Sequence, residues 1–181
     1  MSTLKRSAAA VLLGAAACAT PPQTAHRSPG LGVPVSAEEL VAWDISIPPS
    51  GAGLPAGGGN ARQGGPVFEQ KCAACHGAKG VGKPADPLVG GRGTLASKTP
   101  VRTVGSYWQH ATTLFDYVRR SMPITNPLSL TNDEVYAVSA YVLYLNGIVG
   151  EDEQMNAQSL PRVAMPNRDG FIDDWRPRAT K

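Results

Sequence analysis

Apolar residues recur along this chain mainly at helical spacing, and nowhere do they alternate with polar ones for long enough to propose a β-sheet. The clearest pattern covers Asn132–Leu145. Thr131-Asn132-Asp133-Glu134 opens it as a capping box, in which the threonine and glutamate satisfy each other's backbone donors, and Val135, Val138, Val142 and Leu145 form the expected buried stripe. Asn146-Gly147 supplies the stop. A second helix is expected over residues 113–121, where Leu114, Tyr117, Val118 and Ser121 share one face; Met122-Pro123 ends it, because proline disfavours helical geometry in the residue before it. A third is expected over residues 66–74, with Pro66 at an early position where its missing N–H costs nothing and Gly77 beyond its end. These helices predict an all-α domain over residues 61–150.

The flanks follow other rules. Residues 1–19 have the layout of an export signal, Lys5 and Arg6 preceding the apolar run 8–17 and then small residues. That run is too short to span a bilayer. Cys18 follows Gly14-Ala15-Ala16-Ala17, similar to a bacterial lipobox with Ala15 in place of the usual leucine; ordinary cleavage after Ala17-Cys18-Ala19 is the competing expectation. Either outcome implies a periplasmic protein, with a lipid anchor at Cys18 as its one expected membrane attachment. Residues 20–60 are rich in Pro, Gly and Ala and read as a tether and extended arm, within which Leu40-Val41-Ala42-Trp43-Asp44-Ile45 is apolar enough to pack on the domain surface. Residues 151–181 form an irregular C-terminal tail expected to pack on the domain.

Composition narrows the picture. The 181 residues are 42% hydrophobic, enough for a core, but 20 Gly and 16 Pro are too many for an uninterrupted bundle and imply long loops around a small core. Such a core needs a staple, and a bound cofactor can supply one. Residues 62–150 hold nine Lys or Arg against five Asp or Glu, a net +4. That basicity is modest and lacks the runs and aromatic-basic repeats that nucleic-acid binding uses, so no nucleic-acid partner is expected.

Of three cysteines, two occur as Cys72-Ala73-Ala74-Cys75-His76, the attachment pattern for haem c. One helical turn sets both sulfurs toward one haem edge, where each can add to a vinyl group, and the adjacent histidine then reaches the iron. Zinc sites and redox dithiols share the two-residue cysteine spacing. Zinc, however, needs four ligands where only His26 and His110 remain, and a thioredoxin-like dithiol needs a βαβ context that is absent. No nucleophile motif or phosphate loop suggests an enzyme. An open iron could still serve a peroxidase or gas sensor, so the sixth ligand matters. Among Met122, Met155, Met165 and His110, Met122 is the best placed, 46 residues beyond His76, past a helix end and before a proline. His/Met ligation closes the iron and raises its potential relative to bis-histidine ligation, which suits electron transfer.

In the order of these parts the domain resembles class I cytochrome c: a helix leading into the haem motif, a later Met122-Pro123, and a closing helix carrying Tyr136, Tyr141 and Tyr144. The resemblance implies one covalent haem c, and places a backbone carbonyl from the Pro87-Leu88 segment on the free ring nitrogen of His76. Over roughly residues 41–178 the chain is also similar to the cytochrome subunit of the sulfane and sulfite dehydrogenases of bacterial sulfur oxidation. The shared stretches are Trp43-Asp44-Ile45, Gly53-Leu54-Pro55, Arg102-Thr103-Val104-Gly105-Ser106-Tyr107-Trp108, Thr113-Leu114-Phe115-Asp116-Tyr117, Arg119-Arg120-Ser121-Met122-Pro123, Asp133-Glu134-Val135-Tyr136-Ala137 and Met165-Pro166-Asn167-Arg168-Asp169-Gly170-Phe171. This second resemblance implies Met122 as distal ligand, Pro87 and Trp108 among the residues around the haem, and a molybdenum-cofactor sulfite- or sulfane-oxidising enzyme as electron donor. A downstream cytochrome or oxidase would be the acceptor. The Sox-system subunit carries a second haem domain, whereas this chain has one motif, so a mono-haem relative is implied. Lys79, Lys83, Lys98, Arg102, Arg119 and Arg120 flank the haem-binding segments in sequence and are the expected docking charges.

Overall fold

The computed structural model describes residues 30–172; the expected export signal, Cys18 and the last residues of the tail lie outside them. In chain order the elements are α1 (Ala37–Trp43), β1 (Gly58–Gly59), α2 (Ala61–Lys71), α3 (Ala73–His76), α4 (Ala111–Ser121), α5 (Asn132–Leu145) and β2 (Met155–Asn156), with 3₁₀ turns at Ala78–Gly80 and Leu160–Arg162. The class is all-α, as the helical spacing implies. One small departure is the antiparallel pairing of Gly58 with Asn156 and Gly59 with Met155, which clasps the two flanks together. Two-residue strands carry no alternation that a sequence could display.

Helix α5 has the expected bounds, and its capping box forms as expected between Thr131 and Glu134. It is buried more completely than a stripe. Val135 through Ala140, Val142 and Leu143 are all inside, whereas Leu145 is only half-buried. A helix apolar nearly all round is a central one, and α2, α4 and both strands pack on it.

The closest packing is with α2. At Gly64 a Cβ would overlap the carbonyl of Ala137 and sit 2.9 Å from Tyr141 Cβ, so the helices cross where only glycine fits. One turn later Phe68 is buried with its ring 5.3 Å from that of Tyr141. Lys71 Nζ, at the end of α2, bonds Glu134 Oε1 at 2.8 Å near the start of α5. Helix α2 begins five residues before the expected start, because Asn60 and Gln63 form a capping box; Pro66 therefore lies inside the helix rather than at its first turn. The chain kinks at Cys72 and continues as the single turn α3, which Gly77 ends at φ 73° with its N–H on the Ala73 carbonyl.

Helix α4 starts two residues before the expected position and ends where Met122 turns extended. Its buried face also differs: Ala111, Thr112, Leu114, Phe115 and Asp116 are inside and Tyr117 is 47% exposed. Phe115 packs on Tyr136 of α5 with centroids 4.4 Å apart. The face is set by the N-terminal arm, which runs over α4. Ile47 is buried and its N–H donates to Asp116 Oδ1 at 2.8 Å, Thr112 Oγ1 donates to the Pro49 carbonyl at 3.1 Å, and Arg119 Nη1 to that of Ile45 at 3.2 Å. Burial pushes the Asp116 carboxyl up, but Arg120, the Ile47 amide and Arg119 together outweigh it and hold the group below the usual carboxylate value. Upstream the expectation fails. Leu40 to Asp44 do not pack on the domain, and only Ile45 of that stretch reaches it: residues 37–43 are helical, with a Ser36–Glu39 capping box, yet bury nothing, and Trp43 is 84% exposed. On the other flank Met155, Leu160, Val163 and Met165 are buried in the same core.

The crossing at Gly64 sets two magnitudes against each other. Helix propensity alone would favour Gly64→Ala by about 1 kcal/mol, whereas forcing a methyl into the Ala137 carbonyl should cost about 3 kcal/mol. We expect the steric effect to win, so the denaturant midpoint of Gly64→Ala should fall well below that of the wild-type protein; an unchanged or raised midpoint would show that the helices are not in contact there.

Candidate haem site

The thiols of the motif stand at the junction of α2 and α3. The Cys75 and His76 amides both donate to the Cys72 carbonyl, at 3.1 and 3.0 Å, so the five residues from Cys72 to His76 close one turn and carry both sulfurs and the imidazole on it. Neither thiol is in a disulfide. Burial pushes the Cys72 thiol up to about 11, against the pull of Lys71 and with a smaller push from Cys75. That is opposite to the depressed thiolate that a redox dithiol requires. A zinc centre finds no support either, since among the described residues no three His, Cys, Asp or Glu side chains converge.

His76 is oriented by its second nitrogen. Nδ1 lies 3.0 Å from the carbonyl oxygen of Asp86. A carbonyl can only accept, so Nδ1 carries the proton and Nε2 keeps its lone pair for a metal. The expected contact from the Pro87-Leu88 segment thus comes from one residue earlier, and Pro87 contributes as the residue whose peptide bond bears that carbonyl. The chain returns to His76 through a tight loop in which Gly82 N–H donates to the His76 carbonyl at 2.7 Å and Ala85 N–H to that of Cys75 at 2.9 Å. Two free thiols on one turn beside an imidazole with a free Nε2 are the donor set that haem c needs, while Leu88, Trp108 and Val118 are half-buried against the core.

The candidate sixth ligands differ in setting. Met155 and Met165 are packed inside the core, 0% and 4% exposed. Met122 is half-buried at the C-terminal end of α4, extended at φ −120° and ψ 148°, with its N–H on the Val118 carbonyl at 3.1 Å. His110 caps the other end of the same helix, roughly 18 Å away across the 11 residues of α4. Its Nδ1 is buried with no hydrogen-bond partner. Trp108 is half-buried, edge-on to Tyr117 with ring centroids 5.8 Å apart, and lines a surface concavity with Tyr107, His110 and Phe171.

The basic residues divide. Arg120 is engaged by Asp116, its Nε bonding Oδ1 at 2.9 Å, and Arg119 holds the Ile45 carbonyl, so both brace the fold rather than stand ready for a partner. Lys79, Lys83, Lys98 and Arg102 are exposed, and the first two belong to the loop between His76 and Asp86. In the sequence Asn146 reads only as a helix stop; its carboxamide binds the chain on the far side of Asp86, a role visible only in three dimensions.

The family description for subunit III of cbb3-type cytochrome c oxidase matches residues 59–142, the stretch from β1 to late in α5. Among solved structures, the sulfane dehydrogenase SoxCD from Paracoccus pantotrophus superposes with a TM-score of 0.76 at 40% identity, covering 82% of this chain and 74% of that one. The as-isolated form of thiosulfate dehydrogenase TsdBA from Marichromatium purpuratum is 26% identical over 49% of this chain and 18% of that one, with a TM-score of 0.37. No curated protein matches significantly. A continuous attachment turn, an oriented imidazole and a 40% identical relative along most of the chain lead to one conclusion: the chain belongs to the cytochrome c family, whose members carry covalent haem c, and is an electron-transfer cytochrome similar to that of sulfane dehydrogenase.

Proposed function

We propose that this is a periplasmic mono-haem cytochrome that accepts single electrons from a molybdenum-cofactor sulfite- or sulfane-oxidising enzyme and passes them to a second cytochrome or an oxidase. The observation that carries the haem assignment is the 3.0 Å contact of His76 Nδ1 with the Asp86 carbonyl, on the same turn as two free thiols. Cys72 and Cys75 would hold the haem as thioethers and His76 Nε2 would ligate the iron, which when bound supplies a one-electron ferric/ferrous couple. The Asp86 carbonyl keeps the proton on Nδ1 in both oxidation states and fixes the ring, so little moves when the charge changes. Met122 is proposed as the distal ligand, because the other two candidate methionines are occupied in the core. The 40% identical relative supports the sulfur assignment.

Met122→Ala should abolish the weak far-red band of ferric haem that reports sulfur ligation, leaving the covalent attachment intact on a denaturing gel stained for haem. Loss of that band on replacing His110 or Met165 instead would move the ligand.

The exposed Lys79, Lys83, Lys98 and Arg102 fit an acidic docking face on the donor enzyme. Stopped-flow reduction of the cytochrome by such an enzyme and its substrate should slow several-fold as ionic strength rises from about 0.01 to 0.15 M, where the Debye length shrinks from roughly 30 to 8 Å. A salt-independent rate would remove the charge-steering reading, and failure of every sulfur-oxidising donor to reduce the haem would remove the sulfur assignment.

Anchoring at Cys18 is part of the same proposal, with the Pro- and Gly-rich segment 20–60 as tether and arm. Mass spectrometry of the mature protein should find a diacylglyceryl cysteine as its first residue; an unmodified terminus beginning at Thr20 would show plain secretion.

A further inference from the structure

We infer that Asn146 is a positioning residue for His76, acting through the strap of chain from Asp86 to Gly90 and not by touching the ring or the iron; this rests on the reading of His76 as the proximal ligand. The Asp86 carbonyl can hold Nδ1 only where the strap puts it. Upstream of Asp86 the chain is tied to the haem motif itself, through Gly82 to His76 and Ala85 to Cys75. Downstream, Leu88 N–H donates to the Gly80 carbonyl at 2.9 Å, and two further backbone groups of the strap, one on each side of Val89, both go to one side chain. Asn146 Nδ2 donates to the Leu88 carbonyl at 3.1 Å, and Asn146 Oδ1 accepts from Gly90 N–H at 3.1 Å.

The second Nδ2 proton goes to the Val142 carbonyl at 2.9 Å, inside α5. These partners fix which way the amide faces, since two carbonyls require donors and an N–H requires an acceptor. Both donors are used, so the side chain locks the strap to the last turn of the central helix across 58 residues of sequence. Two further features protect the arrangement. Arg92 Nη2 donates to the Asn146 backbone carbonyl at 3.1 Å, and a Cβ at Gly105 would overlap Asn146 Oδ1, so the neighbouring loop yields its space to the carboxamide.

The consequence is electronic as well as mechanical. A carbonyl drawing on Nδ1–H makes the imidazole a stronger donor at Nε2, which favours ferric iron. If the strap slackens, the Asp86 contact weakens, ferrous iron gains and the Nδ1 proton exchanges with water more readily. Asn146 is also the residue that ends α5, and a merely structural role would show as lost stability alone.

Three variants of the haem-loaded protein separate these roles. Asn146→Ala removes the carboxamide, Asn146→Asp keeps an acceptor for Gly90 but loses both donors, and Gly147→Ala strains the helix stop at φ 65° without touching the strap. The readouts are the reduction potential, the exchange rate of the His76 Nδ1 proton in the diamagnetic ferrous protein by NMR, and the denaturant midpoint. Asn146→Ala and Asn146→Asp should raise the potential and speed exchange by about 2- to 10-fold, the range that the net worth of one hydrogen bond gives. Gly147→Ala should lower the midpoint and leave the other two readouts at their wild-type values. If both Asn146 variants lose stability but keep the wild-type potential and exchange rate, Asn146 is only a helix stop and the inference is overturned. Should one of them fail to accumulate with haem, the other decides between the two roles by the same readouts. A wild-type protein with no slowly exchanging Nδ1 proton on a ligated His76 would overturn the ligand assignment itself and this inference with it.

Discussion

Everything in this fold is registered to the contact between Gly64 of α2 and the Ala137 backbone of α5. Helix α2 carries no cofactor ligand along its length, but it ends at Cys72, eight residues beyond Gly64, so the depth and angle of the crossing decide where the attachment turn stands relative to the core. A larger residue at position 64 would push the helices apart by about the width of a methyl group. That displacement would be carried to both thiols and His76 as a rigid shift, because Phe68 against Tyr141 and Lys71 against Glu134 clamp the rest of α2 to the same partner. Helix–helix packing and ligand placement are therefore one constraint.

The other half of the site is built without helices. Between the 3₁₀ turn at Gly80 and the start of α4 at Ala111 the chain has no regular element, and its backbone groups need partners that a helix would supply. Short hydroxyl side chains provide them. Thr103 Oγ1 donates to the Gly90 carbonyl at 2.6 Å and accepts from Gly105 N–H, Ser106 Oγ donates to the Val101 carbonyl at 2.6 Å, and Thr94 Oγ1 accepts from Val101 N–H at 3.0 Å. With Asn146 these bonds make a loop region rich in glycine stiff enough to hold one carbonyl against one imidazole. The order depends on directional bonds more than on burial, so single-atom changes in these side chains matter more here than in the core.

How much of this is legible in the sequence depends on how local each feature is. Helix α5 can be read to its bounds because its cap, its apolar spacing and its Asn-Gly stop are adjacent in sequence. The expected start of α2 falls too late: Pro66 suggests a first turn, and Gly64-Gly65 weakens the pattern before it, although those glycines answer to α5 rather than to helix propensity. The Asn60–Gln63 box is present in the sequence, as is Ser36–Glu39 for α1, hidden among Pro and Gly. On α4 the spacing allows two faces, and the arm docking on Asp116 through Ile47 chooses between them, a contact across 69 residues that no periodicity records. The haem turn is legible because its ligands are contiguous. The carbonyl on His76 lies within one residue of its expected place. Arg119 and Arg120 look like free docking charges in the sequence because only the fold brings Ile45 and Asp116 to them.

The loop that returns from His76 to Asp86 joins these two halves, and its strain explains where its charges sit. Gly77, Lys79, Gly80, Gly82 and Lys83 all have positive φ, as the chain must reverse within ten residues to bring Asp86 back over the ring. At Gly77 a side chain would strike the Gly82 carbonyl, so glycine is obligatory there. The two lysines accept the left-handed region at a cost of roughly 1 kcal/mol or more each. A glycine at either position would relieve that cost but leave no charge, while a lysine elsewhere on the surface would sit on backbone not tied to the ligand. Carrying charge on the strained positions fixes it to the same loop that orients His76. Under the proposed ligation one short stretch of chain would set both ligand geometry and encounter surface, since the loop conformation that brings the Asp86 carbonyl to His76 is also the one that exposes Lys79 and Lys83.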